Sequence, residues 1–309
     1  MSASEPDCGS AGTAGFGRVL VGYDGSEGAA DALALAQRLR EPRHGTILLA
    51  HVEVEHMLRI PRHRRAPGSA ELLAGGRGQV AAEVSVTEVT RASSSVPRGL
   101  TELAEEEHSD LVVVGSSGGG GDGRTWPGRT ALRLFQGAPC AVSIAAAGSR
   151  DSGSFHHVGI AYDGLPESRA ALRTAYALAS RDGAAVSLFH AIPAGPPPAV
   201  GAPTRELERA ALAPRLEAQE LLDAAADAAP PRVNPRTVLL HGDPVREIAA
   251  AADGIVDILF TGSRGYGPMH RALAGSVSEA LLRVSSQPVV VMPRSGMAES
   301  EAPASGSTA

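Results

Sequence analysis

Gly262, Gly265, Gly275 and Ser276 are the residues whose types and spacing point most directly to chemistry. They follow an apolar run, Asp257-Ile258-Leu259-Phe260-Thr261, that reads as a buried strand. They lead into Ser276-Val277-Ser278-Glu279-Ala280-Leu281-Leu282, which reads as a helix start, with Ser276 as cap and Glu279 completing a capping box. The order is strand, glycine-rich loop, capped helix. Glycines let backbone N–H groups approach a ligand, because no Cβ stands in the way. A helix start adds unpaired N–H groups and the positive end of a dipole. Together they make an anion site suited to phosphate. The same glycines also suit plain tight-turn packing, and Ser276 suits a plain cap, so the residues alone leave both readings open. The loop is not a Walker A loop, since no Gly-Lys-Ser/Thr follows the glycines, and it does not match G-x-G-x-x-G.

The elements that must position this loop come in two copies. Gly17 to Ser26 reads as a strand followed by a turn, and His157 to Gly164 repeats it, with Tyr23-Asp24-Gly25 and Tyr162-Asp163-Gly164 at the same place relative to the strand. A repeat at about one domain's spacing means duplication of a whole fold. A helix over 27–39 follows the first turn, and one starting at Pro166 and ended by Gly183 follows the second. Strands over 46–54 and 185–192 come next, each with a histidine, His51 and His190. In the second half Pro214 breaks a helix-like stretch, so a helix over 214–228 is expected, then a strand over 237–241 and a helix over 245–252. In the first half Gly75 and Gly76 argue against a helix, and a strand over 83–89 and a helix over 99–107 follow. Asp110 to Ser116 matches Asp257 to Ser263, and the last strands fall at 140–145 and 288–293. The fold class is therefore α/β: two tandem doubly wound, Rossmann-like domains, each a five-stranded parallel sheet with helices on both faces. Ligands in such sheets sit past the carboxyl ends of strands, where Asp163 and the Gly262 loop both lie.

The 309 residues suit two domains. A formal net charge of −6 argues against a general nucleic-acid binder. Cys8 and Cys140 are the only cysteines, and their settings do not suggest a disulfide, which fits a reducing cytosol. No run approaches membrane-spanning length and the first residues do not read as a secretory leader, so a soluble, cytoplasmic protein is expected. Residues 1–15 and 295–309 offer little to bury and read as disordered tails around domains over 16–146 and 155–294, with 147–154 as linker.

The spacing Gly262, Gly265, Gly275, Ser276 resembles the G-2x-G-9x-G-Ser/Thr motif of the ATP-binding universal stress proteins, and the repeat extends the resemblance to both halves. The resemblance implies a tandem universal stress protein whose second domain binds ATP, with Mg²⁺ on the phosphates. Asp163 would then contact adenosine and Ala191 would offer backbone groups to adenine. Gly262, Arg264, Gly265, Gly275, Ser276 and Val277 would line the phosphate path. The family's dimers imply that the final strands of the two halves meet, giving a pseudo-dimer within one chain, with a homodimer of chains as the further option. Nucleotide occupancy would report energy or stress state to a protein partner. The first half departs from the motif: Asp24, Gly115 and Gly118 are present, but Arg129 follows Gly128 where Ser or Thr is expected. A weak or lost first site is expected.

Asp163 is also a good helix cap, and that role competes with a ligand role. His51 and His190 suit packing better than ligation. The cluster Arg59, Arg62, His63, Arg64 and Arg65 suits a solvated loop, or else a patch for an acidic partner. No Cys-x-x-Cys, His-Glu-x-x-His or G-x-S-x-G is present, and no residue stands out to orient water at a terminal phosphate. No catalytic residue and no protein-held metal are expected. The alternatives to a nucleotide-binding protein are a nucleotide-free interaction module and a slow ATPase.

Overall fold

A computed structural model of the chain describes residues 14–55, 68–117, 127–151, 153–193, 204–263 and 277–293, with the backbone but not the side chains of 151 and 204–211. Most of both expected tails, the Arg59–Arg65 cluster, Gly118, Arg264, Gly265, Gly275 and Ser276 lie outside the described residues. The first half runs β1 (Arg18–Gly22), α1 (Glu27–Leu39), β2 (Thr46–Val54), α2 (Ser69–Arg77), β3 (Ser85–Ser93), α3 (Val96–Glu106), β4 (Leu111–Gly115), α4 (Arg129–Gly137) and β5 (Ala141–Ala145). After a 3₁₀ turn at Ser149–Asp151 the order repeats as β6 (His157–Ala161), α5 (Pro166–Asp182), β7 (Ala185–Ile192), α6 (Thr204–Asp227), β8 (Pro235–His241), α7 (Pro244–Ala252), β9 (Ile258–Gly262), α8 (Val277–Val284) and β10 (Val289–Met292).

Local chemistry sets many of these bounds. The Ser26 hydroxyl accepts the Ala29 N–H at the start of α1, while Glu27 and Arg38 sit at the dipole ends that favour them. Pro166 opens α5, and Gly183 ends it in the left-handed region at φ 67°. The Asp243 carboxylate caps α7 through the Arg246 N–H, with Pro244 as its first residue.

Two expectations fail. Helix α2 forms across Gly75 and Gly76, because tertiary packing requires the small residue. A Cβ at Gly76 would stand 2.9 Å from the Tyr23 ring and 3.0 Å from Leu49. Helix α6 does not begin at Pro214 but runs through it from Thr204. Pro214 is exposed, so the carbonyl that loses its N–H partner there can turn to water. Boundaries also shift at β3, which runs to Ser93, and at α3, which starts at Val96.

All strands join one ten-stranded sheet in the order β3-β2-β1-β4-β5-β10-β9-β6-β7-β8. Every described pairing within a half is parallel. The final strands meet across the halves, with β5 and β10 antiparallel through Ile144 opposite Val289 and Val142 opposite Val291. The fully buried Ser143 hydroxyl adds a bond to the Val289 carbonyl at 3.1 Å. Helices cover both faces. One core packs α1, α2, α5 and α6 on the sheet, and the other packs α3, α4, α7 and α8. Fully buried Phe155, Phe189 and Phe260 anchor them, each contributing roughly 1.5–3 kcal/mol by burial.

The halves are also clasped at helix ends. Arg181, in the last turn of α5, donates to the Arg38 and Arg40 carbonyls at the end of α1 at 2.7 and 3.1 Å, and to Ala14 at 3.0 Å. A guanidinium at a helix C-terminus meets carbonyls with no intrahelical partner and the negative dipole end. The Asp182 carboxylate holds that guanidinium through two bonds, at 2.6 and 3.0 Å. On the same side Asp31 of α1, only 2% exposed, accepts the Gly148 N–H and the Arg150 Nε and so fixes the connection between the halves. Arg181→Met should lower stability by about 1.5–3 kcal/mol, the range for hydrogen bonds to a charged group. Urea unfolding measures this, and an unchanged midpoint would show that the clasp is not needed.

Candidate functional site

Strands β9, β6 and β7 are neighbours and parallel, with Ala161 opposite both Thr261 and Phe189. Their carboxyl ends therefore share one edge. Gly262 ends β9, Asp163 lies just past β6, and Ala191 is near the end of β7. Three of the candidate residues thus come together although they are far apart in sequence. Val277, the first residue of α8, is half-buried against the second core.

The turn after β6 has a definite construction. The Asp163 Oδ1 accepts the Leu165 N–H at 3.1 Å, closing an Asx turn, and Gly164 takes φ 78°. Leu165, not Asp163, is the N-cap of α5, so the aspartate shapes the turn without capping the helix. The first half repeats this: Asp24 Oδ1 accepts the Ser26 N–H at 3.0 Å and Gly25 takes φ 78°.

Gly262 has a packing role that is visible directly. A Cβ there would stand 2.5 Å from the Ser168 backbone nitrogen and 2.7 Å from the Glu167 Cβ. Glycine is thus what lets the first turn of α5 sit on the end of β9. Gly115 does the same for α1, where a Cβ would fall 2.2 Å from the Gly28 carbonyl group. In the first half the contact is tighter, because Gly28 itself has no room: its Cβ would meet the Ser116 oxygen at 2.4 Å. The halves also differ where the next helix begins. Gly128 is the N-cap of α4 without any side-chain cap, whereas Ser276 immediately precedes Val277. Glu279 in α8 pairs with Arg283 at 2.9 Å.

The two strand histidines, set aside above as packing residues, contribute to the same edges. His190 Nδ1 donates to the Tyr162 carbonyl at 2.7 Å, and His51 Nδ1 donates to that of Tyr23 at 2.9 Å. A carbonyl only accepts, so these bonds place a proton on Nδ1. His190 lines a cavity of about 280 Å³ with Ile192 and Pro193 from the end of β7 and Glu217, Ala218 and Leu221 from α6. The signal for this was present: each histidine stands 28 residues after its tyrosine in both halves.

A second polar pair, His157 and Ser187, is bonded at 2.9 Å between β6 and β7. Ser187 is 2% exposed, so its hydroxyl is sealed from substrate. Burial holds the His157 pKa below the usual histidine range, against the opposing field of Asp257. Among the described residues no group of three or more His, Cys, Asp or Glu could hold a metal ion. Nor is any helix among them long and apolar enough to cross a membrane.

Two tandem α/β repeats, joined edge to edge and each presenting an Asx turn and a strand-end glycine, define the class of protein. Residues 15–145 and 154–293 each match the universal stress protein family, and the chain belongs to that family. Solved structures agree at the level of fold. A universal stress protein from Archaeoglobus fulgidus is 19% identical with a TM-score of 0.61, over 90% of this chain and 96% of its own. A functionally unknown protein from Pseudomonas aeruginosa is 16% identical with a TM-score of 0.67, over 91% of this chain and 93% of its own.

Gly262→Ala should destabilise the fold by about 1–3 kcal/mol, the cost of forcing a Cβ against backbone. Gly137→Ala has open space around it and should stay within about 0.5 kcal/mol of wild type. Thermal or urea melts compare the two, and equal stability would mean that α5 can shift off the end of β9.

Proposed function

We propose that the second half binds an adenine nucleotide, ATP with Mg²⁺ on its phosphates, at the carboxyl edge of β9, β6 and β7. The observation that carries this is the convergence of Asp163, Ala191 and Gly262 on one edge of three adjacent parallel strands. In doubly wound sheets that edge is where ligands bind. Asp163 would receive adenosine and Ala191 the adenine edge, beside the cavity next to His190. Residues 264–276, with Val277 behind them, would carry the phosphates. The first half is the weaker candidate, since Gly128 brings no hydroxyl to the helix start. The function is occupancy, with bound nucleotide reporting energy or stress state to a protein partner in the cytoplasm, and turnover incidental.

The packing role of Gly262 favours a second reading, a nucleotide-free interaction module in which this loop is only inherited turn geometry. Identifying nucleotide released from freshly purified, denatured protein separates the two. About one ATP or ADP per chain is expected. Gly265→Val should abolish binding without unfolding, by filling the phosphate approach. ATP at a hundredfold excess over Kd should stabilise the wild type by about 2.7 kcal/mol and the variant not at all. Absence of nucleotide, with no melting shift on adding ATP and Mg²⁺, would leave the interaction module.

A further inference from the structure

A cavity of about 290 Å³ lies at the seam of the two halves, away from the carboxyl edges. Gln37, Arg38 and Arg40 at the end of α1 line one side, and Ser154, Arg181 and Asp182 line the other. Three guanidinium groups thus share it with one carboxylate.

The three arginines are not equivalent. Arg181 is satisfied, by both oxygens of Asp182 and by the carbonyls of Ala14, Arg38 and Arg40. Arg40 gives its Nη1 to the carbonyls of Glu41, Pro42 and Gly45, but its Nε is buried without a partner. The Arg38 guanidinium makes no hydrogen bond or ion pair among the described residues. It stacks 3.7 Å from the Phe155 ring centroid, and its Nε too is buried without a partner. The nearby carboxylates are engaged elsewhere: Asp182 holds Arg181, and Asp257 accepts the His156 and His157 N–H groups. Burial pulls the Arg38 pKa down to about 10, against the fields of Asp257 and Asp182, and Arg181 adds to the lowering. The group is therefore cationic at neutral pH.

A buried N–H left without an acceptor is costly, and a pair of them on cationic groups in one cavity calls for an acceptor that also carries charge. Water can accept, but it cannot balance the excess of guanidinium over carboxylate. Oxyanions match the donor geometry of guanidinium. We propose that the seam cavity binds a small oxyanion of the inorganic phosphate class between Arg38 and Arg40. Bound there, it ties the end of α1 to Ser154 and the end of α5, and so bridges the halves. The site shares no residue with the proposed nucleotide edge and stands or falls separately from it.

The test is titration of inorganic phosphate into the full chain in chloride buffer at neutral pH, following the arginine side-chain Nε–H signals by NMR. The Arg38 and Arg40 signals should shift saturably and the melting temperature should rise. Arg38→Gln should remove one signal and weaken binding by about tenfold or more. Ser154→Asp, at an exposed position on the rim, should weaken phosphate binding without disturbing the core. Gly265→Val should leave it unchanged. Unmoved arginine signals, or wild-type phosphate affinity in both Arg38→Gln and Ser154→Asp, overturn the proposal. So does loss of binding in Gly265→Val, which would place the phosphate at the other site.

Discussion

The antiparallel contact between β5 and β10 is the constraint on which the rest of the molecule depends. Each half alone would end in an apolar strand with unpaired N–H and C=O groups, a template for association. Val142, Ile144, Val289 and Val290 are each no more than 3% exposed once the strands pair. Pairing turns two edges into the interior of one ten-stranded sheet and lets each core run across both halves. The outer edges that remain are β3, which carries Glu88 and Arg91, and β8, which carries Arg236. These charged residues resist further edge pairing.

The direction of that pairing has a functional consequence. Strands are parallel within each half and reverse at the junction, so the carboxyl edges of the halves face opposite sides of the sheet. Asp24 and Gly115 therefore cannot join Asp163 and Gly262 in one site. Each edge is a separate candidate, and one can lose its residues without cost to the other. The amino-end corners behave differently. Twist accumulates over the strands between α1 and α5, and the C-terminal ends of these helices meet at Arg181. The chain thus has two outlying strand-end edges and one seam shared by its halves.

Much of this was legible in the sequence. The bounds of α1, β2 and β7 follow from caps, glycines and apolar runs, because those signals act within a few residues. Gly75 and Gly76 misled for the opposite reason. The meaning of Gly76 lies in Tyr23 and Leu49, which only the folded chain brings close. Pro214 misled because its cost depends on whether the orphaned carbonyl faces water. The junction of the halves was not in the periodicity at all: an apolar strand reads the same whether its neighbour is parallel, antiparallel or absent. It came from the family resemblance. At the candidate site, Asp163 and Gly262 were singled out by repeat and spacing, whereas His190 was read as a packing residue without its partner, because the tyrosine stands 28 residues earlier. Its bond to Tyr162 supplies what the single residue could not.

Gly262 shows why packing and ligand binding are hard to separate in this architecture. A helix that starts tight against a strand end must have glycine beneath its first turn, and that same absence of a Cβ would open a phosphate approach. Gly115 meets the packing demand as fully as Gly262, although Gly128, at its half's next helix start, carries no side-chain hydroxyl. A strand-end glycine is therefore required by the fold in both halves and discriminates nothing between them. What differs in the sequence is the residue before α4 and α8, Gly128 against Ser276. A functional difference between the halves is therefore to be sought at such positions rather than at the strand-end glycines that packing demands of both.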